Sequence, residues 1–164
     1  MTESNDIFYE ISTYYDNLVR RYGHDPRACD YGRPESQMVK FRVLAEVMDL
    51  SEKTILDVGC GFADLADYLN NRYKRVSYTG VDLSPEMIPE AKAQHPDLDL
   101  RQFNILNDEI GNFDVVTANG VFYLLGEDAP ELTRRLISRM FGIAHKVVAF
   151  NSLSSWAPSQ ETVS

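Results

Sequence analysis

The run Ile55-Leu56-Asp57-Val58-Gly59-Cys60-Gly61-Phe62-Ala63-Asp64 constrains this chain more than any other stretch. Ile55 to Val58 reads as a short buried strand, apolar and bounded by glycine. Gly59 and Gly61 let the backbone turn tightly and approach a ligand closely before a helix opens near Phe62. Free N–H groups at that helix start favour an anionic group. Twenty-five positions after Asp57, the run Tyr78-Thr79-Gly80-Val81-Asp82 ends a second strand on an acid. Its carboxylate can accept hydrogen bonds from both hydroxyls of a ribose. Together these features outline a nucleoside-shaped site.

The rest of the chain alternates helices and strands. Ile7, Ile11, Leu18 and Tyr22, with Phe8, Tyr15 and Val19 beside them, recur at helical spacing. A polar loop with Gly23, Pro26, Gly32 and Pro34 leads to a second helix, predicted over 35–49. Met38, Phe41, Leu44, Ala45 and Met48 occupy one of its faces. The helix after the first strand (54–58) turns Leu65, Ala66, Leu69 and Tyr73 inward. A second strand is predicted at 76–81, followed by Ser84-Pro85-Glu86 as N-cap, first-turn proline and acid, with Pro89 delaying or bending that helix. Strands follow at 99–103, 113–118 and 146–150. Asp128 and Glu131 form a capping-box pattern opening the last helix, with Leu132, Leu136, Ile137 and Met140 inward.

Such alternation implies a three-layer α/β fold, a mostly parallel sheet doubly wound by helices. Ligands of these sheets bind beyond the carboxyl ends of the strands, where strand order switches. Asp57, Gly59, Asp82, Asn104 and Asn119 all fall at such ends. Residues 1–50 read as a helical cap of the same domain and 51–152 as the α/β core. The segment 153–164 reads as a disordered or truncated tail.

With 164 residues, 44% of them hydrophobic and 25% charged, the chain suits one domain with a sizeable core. A net charge of −9 argues against nucleic acid, whose binders display a basic stripe. Arg20-Arg21 and Arg134-Arg135 are only pairs. Cys29 and Cys60 lack metal-ligand spacing, and two thiols make no disulfide framework. The N-terminus has no apolar signal core, and no run approaches the ~18 apolar residues of a membrane span. The expected setting is soluble, reducing and cytoplasmic, without metal, membrane or nucleic acid.

The glycine spacing decides between nucleosides. A nicotinamide-dinucleotide loop, the mark of an NAD-dependent oxidoreductase, wants G-x-G-x-x-G. Asp64 stands at its third glycine, beside the place of a pyrophosphate, and like charges oppose that arrangement. The run instead resembles motif I, D-x-G-x-G-x-G, of the class I S-adenosylmethionine-dependent methyltransferases, with Ala63 replacing the last glycine. The resemblance extends from about Ile7 to Asn151. It implies a Rossmann-like fold, S-adenosyl-L-methionine as cofactor and S-adenosyl-L-homocysteine as its product. Members normally carry seven strands, the last two an antiparallel hairpin, whereas this chain stops after strand five. A truncated chain is expected, with strand five either an exposed edge or paired with a second copy in a homodimer.

The resemblance also implies roles. Gly59, Cys60 and Gly61 form the loop facing the methionine end of the cofactor, whose ammonium Asp57 or Asp64 approaches directly or through water. Asp82 binds the ribose hydroxyls, and Leu83 lies on one adenine face. Asn104, where aspartate is commoner, accepts from the adenine amino group, and Ile105 supplies a backbone N–H or the other adenine wall. Asn119 and Gly120 lie beside the methionine moiety and the transferring methyl. Gly120-Val121 stands where amino-methyltransferases carry two prolines, which argues against adenine, cytosine and glutamine amide acceptors. Tyr14, Tyr15 and Asp16 resemble the aromatic–acid pair that closes over the cofactor in small-molecule members. His24, Tyr31 and Arg33 are candidates for an acceptor pocket. His95 reads as structural, His145 as a base only if it points to the cleft, and Cys60, with no base in register, as a small loop residue rather than a nucleophile.

The implied reaction is in-line methyl transfer from a sulfonium to a small-molecule acceptor, which asks mainly for alignment and exclusion of water. If the acceptor is a hydroxyl or ammonium a base is needed, and Tyr15, His24 and Tyr123 are the candidates. A non-catalytic or incomplete cofactor-binding domain is the second reading, and an NAD-dependent oxidoreductase the third.

Overall fold

A computed structural model describes residues 3–29, 31, 34–126 and 129–152. The elements in order are α1 (Glu3–Tyr22), a short 3₁₀ turn (Pro26–Cys29), α2 (Pro34–Ala45), β1 (Thr54–Val58), α3 (Asp64–Arg72) and β2 (Ser77–Asp82). After these come α4 (Met87–Gln94), β3 (Asp99–Gln102), β4 (Phe113–Ala118), α5 (Ala129–Ile143) and β5 (Ala144–Phe150). The strands form one sheet in the order β3-β2-β1-β4-β5, every neighbouring pair parallel. The chain steps outward from β1 to β3, then returns to lay β4 on the other side of β1. That reversal makes the β1/β4 boundary the switch point where a ligand crevice opens. Among the described residues there is no sixth or seventh strand.

The two-residue period of the strands builds the layers. In β1, Ile55 points to one face and packs with Leu65, Ala66 and Leu69 of α3, Phe41 and Ala45 of α2, and Ile88 and Ala91 of α4. Leu56 and Val58 point to the other face, against Leu132, Leu136, Met140 and Ile143 of α5 and Phe8 of α1. Val115 and Val116 of β4 divide between the same two clusters. Helices thus cover both faces of the sheet, as the alternating pattern predicted.

Several local expectations move. The helix after β1 opens at Asp64 rather than near Phe62, because Ala63 is left-handed at φ 65° and ends the glycine turn. The helix after β2 opens at Met87; Ser84 still caps it, its Oγ accepting from the Met87 N–H at 2.9 Å, with Pro89 inside the first turn. Met38, expected inward on α2, is 49% exposed, since Phe41, Leu44 and Ala45 set the buried face. Asp114 is structural: it accepts from the Thr54 backbone and from Lys146, lacing β1, β4 and β5. Those donors hold its carboxyl down at about 2. Arg33, Asp128 and the 153–164 tail lie outside the described residues.

Candidate functional site

At the carboxyl ends of β1, β2 and β4 lies a cavity of about 340 Å³. Its floor is the glycine turn. Gly59 and Gly61 are left-handed, at φ 70° and 55°, and a Cβ on either would come within 2.7 Å of Val121 Cγ2 or 2.9 Å of Cys29 Sγ. Only glycine fits both the dihedrals and the space. The Gly59 and Cys60 N–H groups both donate to the Val81 carbonyl, tying the turn to β2.

Asp57 ends up inside. It is 3% exposed, its register partner on β2 is Gly80, and Oδ2 accepts from the Tyr78 hydroxyl at 2.6 Å. Burial raises its carboxyl to about 7, against the partial relief that Tyr78 gives. Its Oδ1 and Thr117 Oγ1, on register partners of β1 and β4, are buried with no hydrogen-bond partner among the described residues. A buried carboxylate oxygen left in that state is suited to a cationic or hydrogen-bonding ligand group.

Asp82 stands half-buried at the end of β2. Its Oδ2 accepts from the Gly61 N–H and its Oδ1 from the Ser84 N–H, each at 3.0 Å. Burial nonetheless raises its carboxyl above the ordinary range. Asp64, first residue of α3, faces Gln37, which donates to Oδ2 at 3.0 Å, and His24, whose Nε2 is 3.5 Å from Oδ1. Asn104 folds as an Asx turn, its side-chain oxygen accepting from the Leu106 N–H at 3.0 Å. Its neighbour Ile105 is buried, with its carbonyl held by Arg139.

A family model described as "Methyltransferase domain" matches residues 56–140, just over half of the chain. The chain belongs to the class I, S-adenosylmethionine-dependent methyltransferases. It is 32% identical over 127 residues to a cyclopropane-fatty-acyl-phospholipid synthase of Escherichia coli strain K12, covering 74% of this chain and 31% of that protein. It is 29% identical over 130 residues to a trans-aconitate 2-methyltransferase of Escherichia coli O7:K1, covering 79% and 48%. The chain therefore spans less than half the length of these relatives. The fold matches phosphoethanolamine N-methyltransferase 1 of Haemonchus contortus, solved with phosphoethanolamine and S-adenosylhomocysteine. That match has a TM-score of 0.72 at 13% identity, over 94% of this chain and 34% of that one.

The methyltransferase fold gathers all the expected cofactor-side residues. Asp57, Gly59, Cys60, Gly61, Asp64, Asp82, Leu83, Asn104, Ile105, Asn119, Gly120 and Tyr15 all line the cavity. Tyr123 lines it too, and its hydroxyl is 2.5 Å from that of Tyr15. His24 does not line it: it leaves the C-terminus of α1 edge-on to Phe62, ring centroids 4.6 Å apart, and turns to Asp64. Asp16 is also elsewhere, buried against the start of α4. Tyr14 packs edge-on against Tyr15 and faces solvent.

The cavity is also lined by Asn151, which the sequence motifs did not mark, and by Tyr31, expected at an acceptor pocket. Asn151, one position beyond β5, donates to Asn119 Oδ1 at 2.7 Å and accepts from the Gly120 N–H at 2.9 Å. It sits at a strand end, the same signal that marked Asn104 and Asn119. Tyr31 accepts from the Asn119 side-chain amide, with Lys40 over its ring. Burial raises the Tyr31 hydroxyl and lifts the Cys29 thiol to about 12; the buried Cys60 thiol is raised as well. Burial of that kind disfavours the reactive thiolate form of both cysteines. Among the described residues there is no group of His, Cys, Asp or Glu able to hold a metal ion, and no helix long and apolar enough to cross a membrane.

Proposed function

We propose that this chain binds S-adenosylmethionine and transfers its methyl group to a small-molecule acceptor. The residues fit that group. The glycine turn offers a cradle that a Cβ would fill, and Asp57 Oδ1, with no partner among the described residues, offers a buried carboxyl oxygen that an ammonium would draw into its ionised form. In this reading Asp82 holds the ribose, Leu83, Asn104 and Ile105 bound the adenine, and Asp57 and Asp64 face the ammonium. Asn119 and Gly120 flank the reacting end, where the cofactor, when bound, supplies an electrophilic sulfonium methyl. Asn104 would meet an adenine amino group with the second lone pair of an oxygen already accepting from Leu106.

The single observation that carries the proposal is the anchoring of Asp82. Its two oxygens are steadied by N–H groups from the glycine turn and from the β2–α4 turn at the wall of the same cavity. A carboxylate preorganised in that way suits a vicinal diol. On the acceptor side, Phe8, Ile11, Leu124 and Leu125 supply an apolar wall, which favours a partly apolar small molecule and excludes water. Tyr15 and Tyr123 are the hydroxyls placed to hold or receive a proton there.

Calorimetric titration with S-adenosylhomocysteine and with NAD tests the cofactor half. We expect one-site binding of the first and none of the second; the reverse would overturn the proposal. Transfer of a labelled methyl group to small-molecule acceptors, assayed with this chain, tests the catalytic half. Cofactor-product binding without transfer would favour a binding domain.

A further inference from the structure

Asp16 belongs to α1, and its side chain bonds to the turn that follows Asp82. It is 8% exposed, and its Oδ1 accepts from Ser84 Oγ at 2.5 Å and from the Glu86 N–H at 3.4 Å. Ser84 is 1% exposed and works in three directions. Its hydroxyl donates to Asp16, its Oγ accepts from the Met87 N–H at 2.9 Å, and its own N–H donates to Asp82 Oδ1 at 3.0 Å. Around this chain, α1 also grips the same turn through Ser12 Oγ, which donates to the Leu83 carbonyl at 3.4 Å, and through an exposed Arg20–Glu86 ion pair. Val19, Phe62 and Met87 pack behind it.

We propose that Asp16 is a positioning residue for the cofactor's ribose, acting through Ser84 to hold the Asp82 carboxylate in its diol-accepting orientation. The physical reasoning is directional. Asp82 is fixed on one side by Gly61, whose turn is locked by glycine dihedrals and by the Val81 carbonyl. On the other side it is fixed by the Ser84 N–H, in a turn that Ser84 Oγ ties forward to the Met87 N–H of α4. Asp16 adds a tether to Ser84 from outside the turn. A buried carboxylate is favourable only where good donors meet it, and the short bond from Ser84 Oγ is that donor, with the Glu86 N–H a longer second contact. Deleting it frees the Ser84 hydroxyl and lets the second anchor of Asp82 drift without removing any atom that touches ribose.

The inference rests on the ribose role proposed for Asp82, and the test separates the two. Binding of S-adenosylhomocysteine and of its 2′-deoxyribose analogue is measured for the wild type, Asp16→Ala, Asp16→Asn and Asp82→Ala. A role in ribose positioning lowers the ratio of the two affinities in Asp16→Ala by about five-fold, the worth of one hydrogen bond. Asp16→Asn, which keeps an acceptor for Ser84, restores the ratio. A merely structural role would weaken both ligands equally and leave the ratio at its wild-type value, which would overturn the inference. If Asp16→Ala does not fold, Ser84→Ala removes the same bridge from its other end and is expected to lower the ratio likewise. If Asp82→Ala keeps the wild-type ratio, the ribose reading itself falls. If Asp82→Ala loses it while Asp16→Ala does not, only the tether is wrong.

Discussion

Tyr15 and Tyr123, 108 positions apart, meet with their hydroxyl oxygens 2.5 Å apart at the cavity wall. One comes from α1 and the other from the segment after β4, so the pair ties the N-terminal helix to the strand end beside Asn119 and Gly120. Tyr15→Phe and Tyr123→Phe should each destabilise by about 1 kcal/mol, because each loses the bond between the two hydroxyls. The double variant should cost less than the sum of the two single ones, since both remove that same bond. Chemical denaturation of all four proteins reads the coupling; strictly additive losses would mean that the two hydroxyls act independently.

Gly59→Ala should cost more than the backbone conformation alone. The left-handed dihedral at φ 70° costs about 1–2 kcal/mol for any residue with a Cβ. The new Cβ would also lie 2.7 Å from Val121 Cγ2. Adding Val121→Ala should recover the contact but not the dihedral strain. A double variant as stable as Val121→Ala alone would show that the positive φ is not a constraint.

Asp57 gives the protein an unusual pH dependence. Its carboxyl titrates at about 7 in the folded chain, against the ordinary 3.8. Between those values the native state keeps a proton that the unfolded chain gives up, so stability falls as pH rises from about 4 to 7. Asp82, raised in the same direction, adds to the trend. Asp114 acts oppositely: its carboxyl, held at about 2, withdraws stability as pH falls below about 4. Asp57→Asn should therefore flatten the slope between pH 4 and 7 in denaturation curves and gain on the wild type at pH 8. An unchanged slope would mean that Asp57 is ionised in the fold.

The fold was legible because its signals are local. β1 and β4 fall at the predicted residues, since buried four- to six-residue apolar runs bounded by glycine or polar residues have few alternative readings. The residues expected on the cofactor side stand at strand ends, and the parallel topology brings them to the wall of one cavity. What escaped reading depends on tertiary contact. Met38 faces outward because α2 turns Phe41 and Ala45 onto α3, a choice that the helical period alone leaves open. Asp16 bonds to Ser84 and not to the cavity, and nothing within α1 marks which of its polar residues will be buried. Asn151 lay at a strand end, but its partner Asn119 is 32 positions away.

The ribose role of Asp82 is most directly tested by titrating S-adenosylhomocysteine into the wild-type chain and into Asp82→Ala by calorimetry. We expect one-site binding that weakens at least tenfold, about 1.4 kcal/mol, in the variant while the far-ultraviolet spectrum stays native. Equal affinity in the two proteins, or no binding to the wild type, would contradict it.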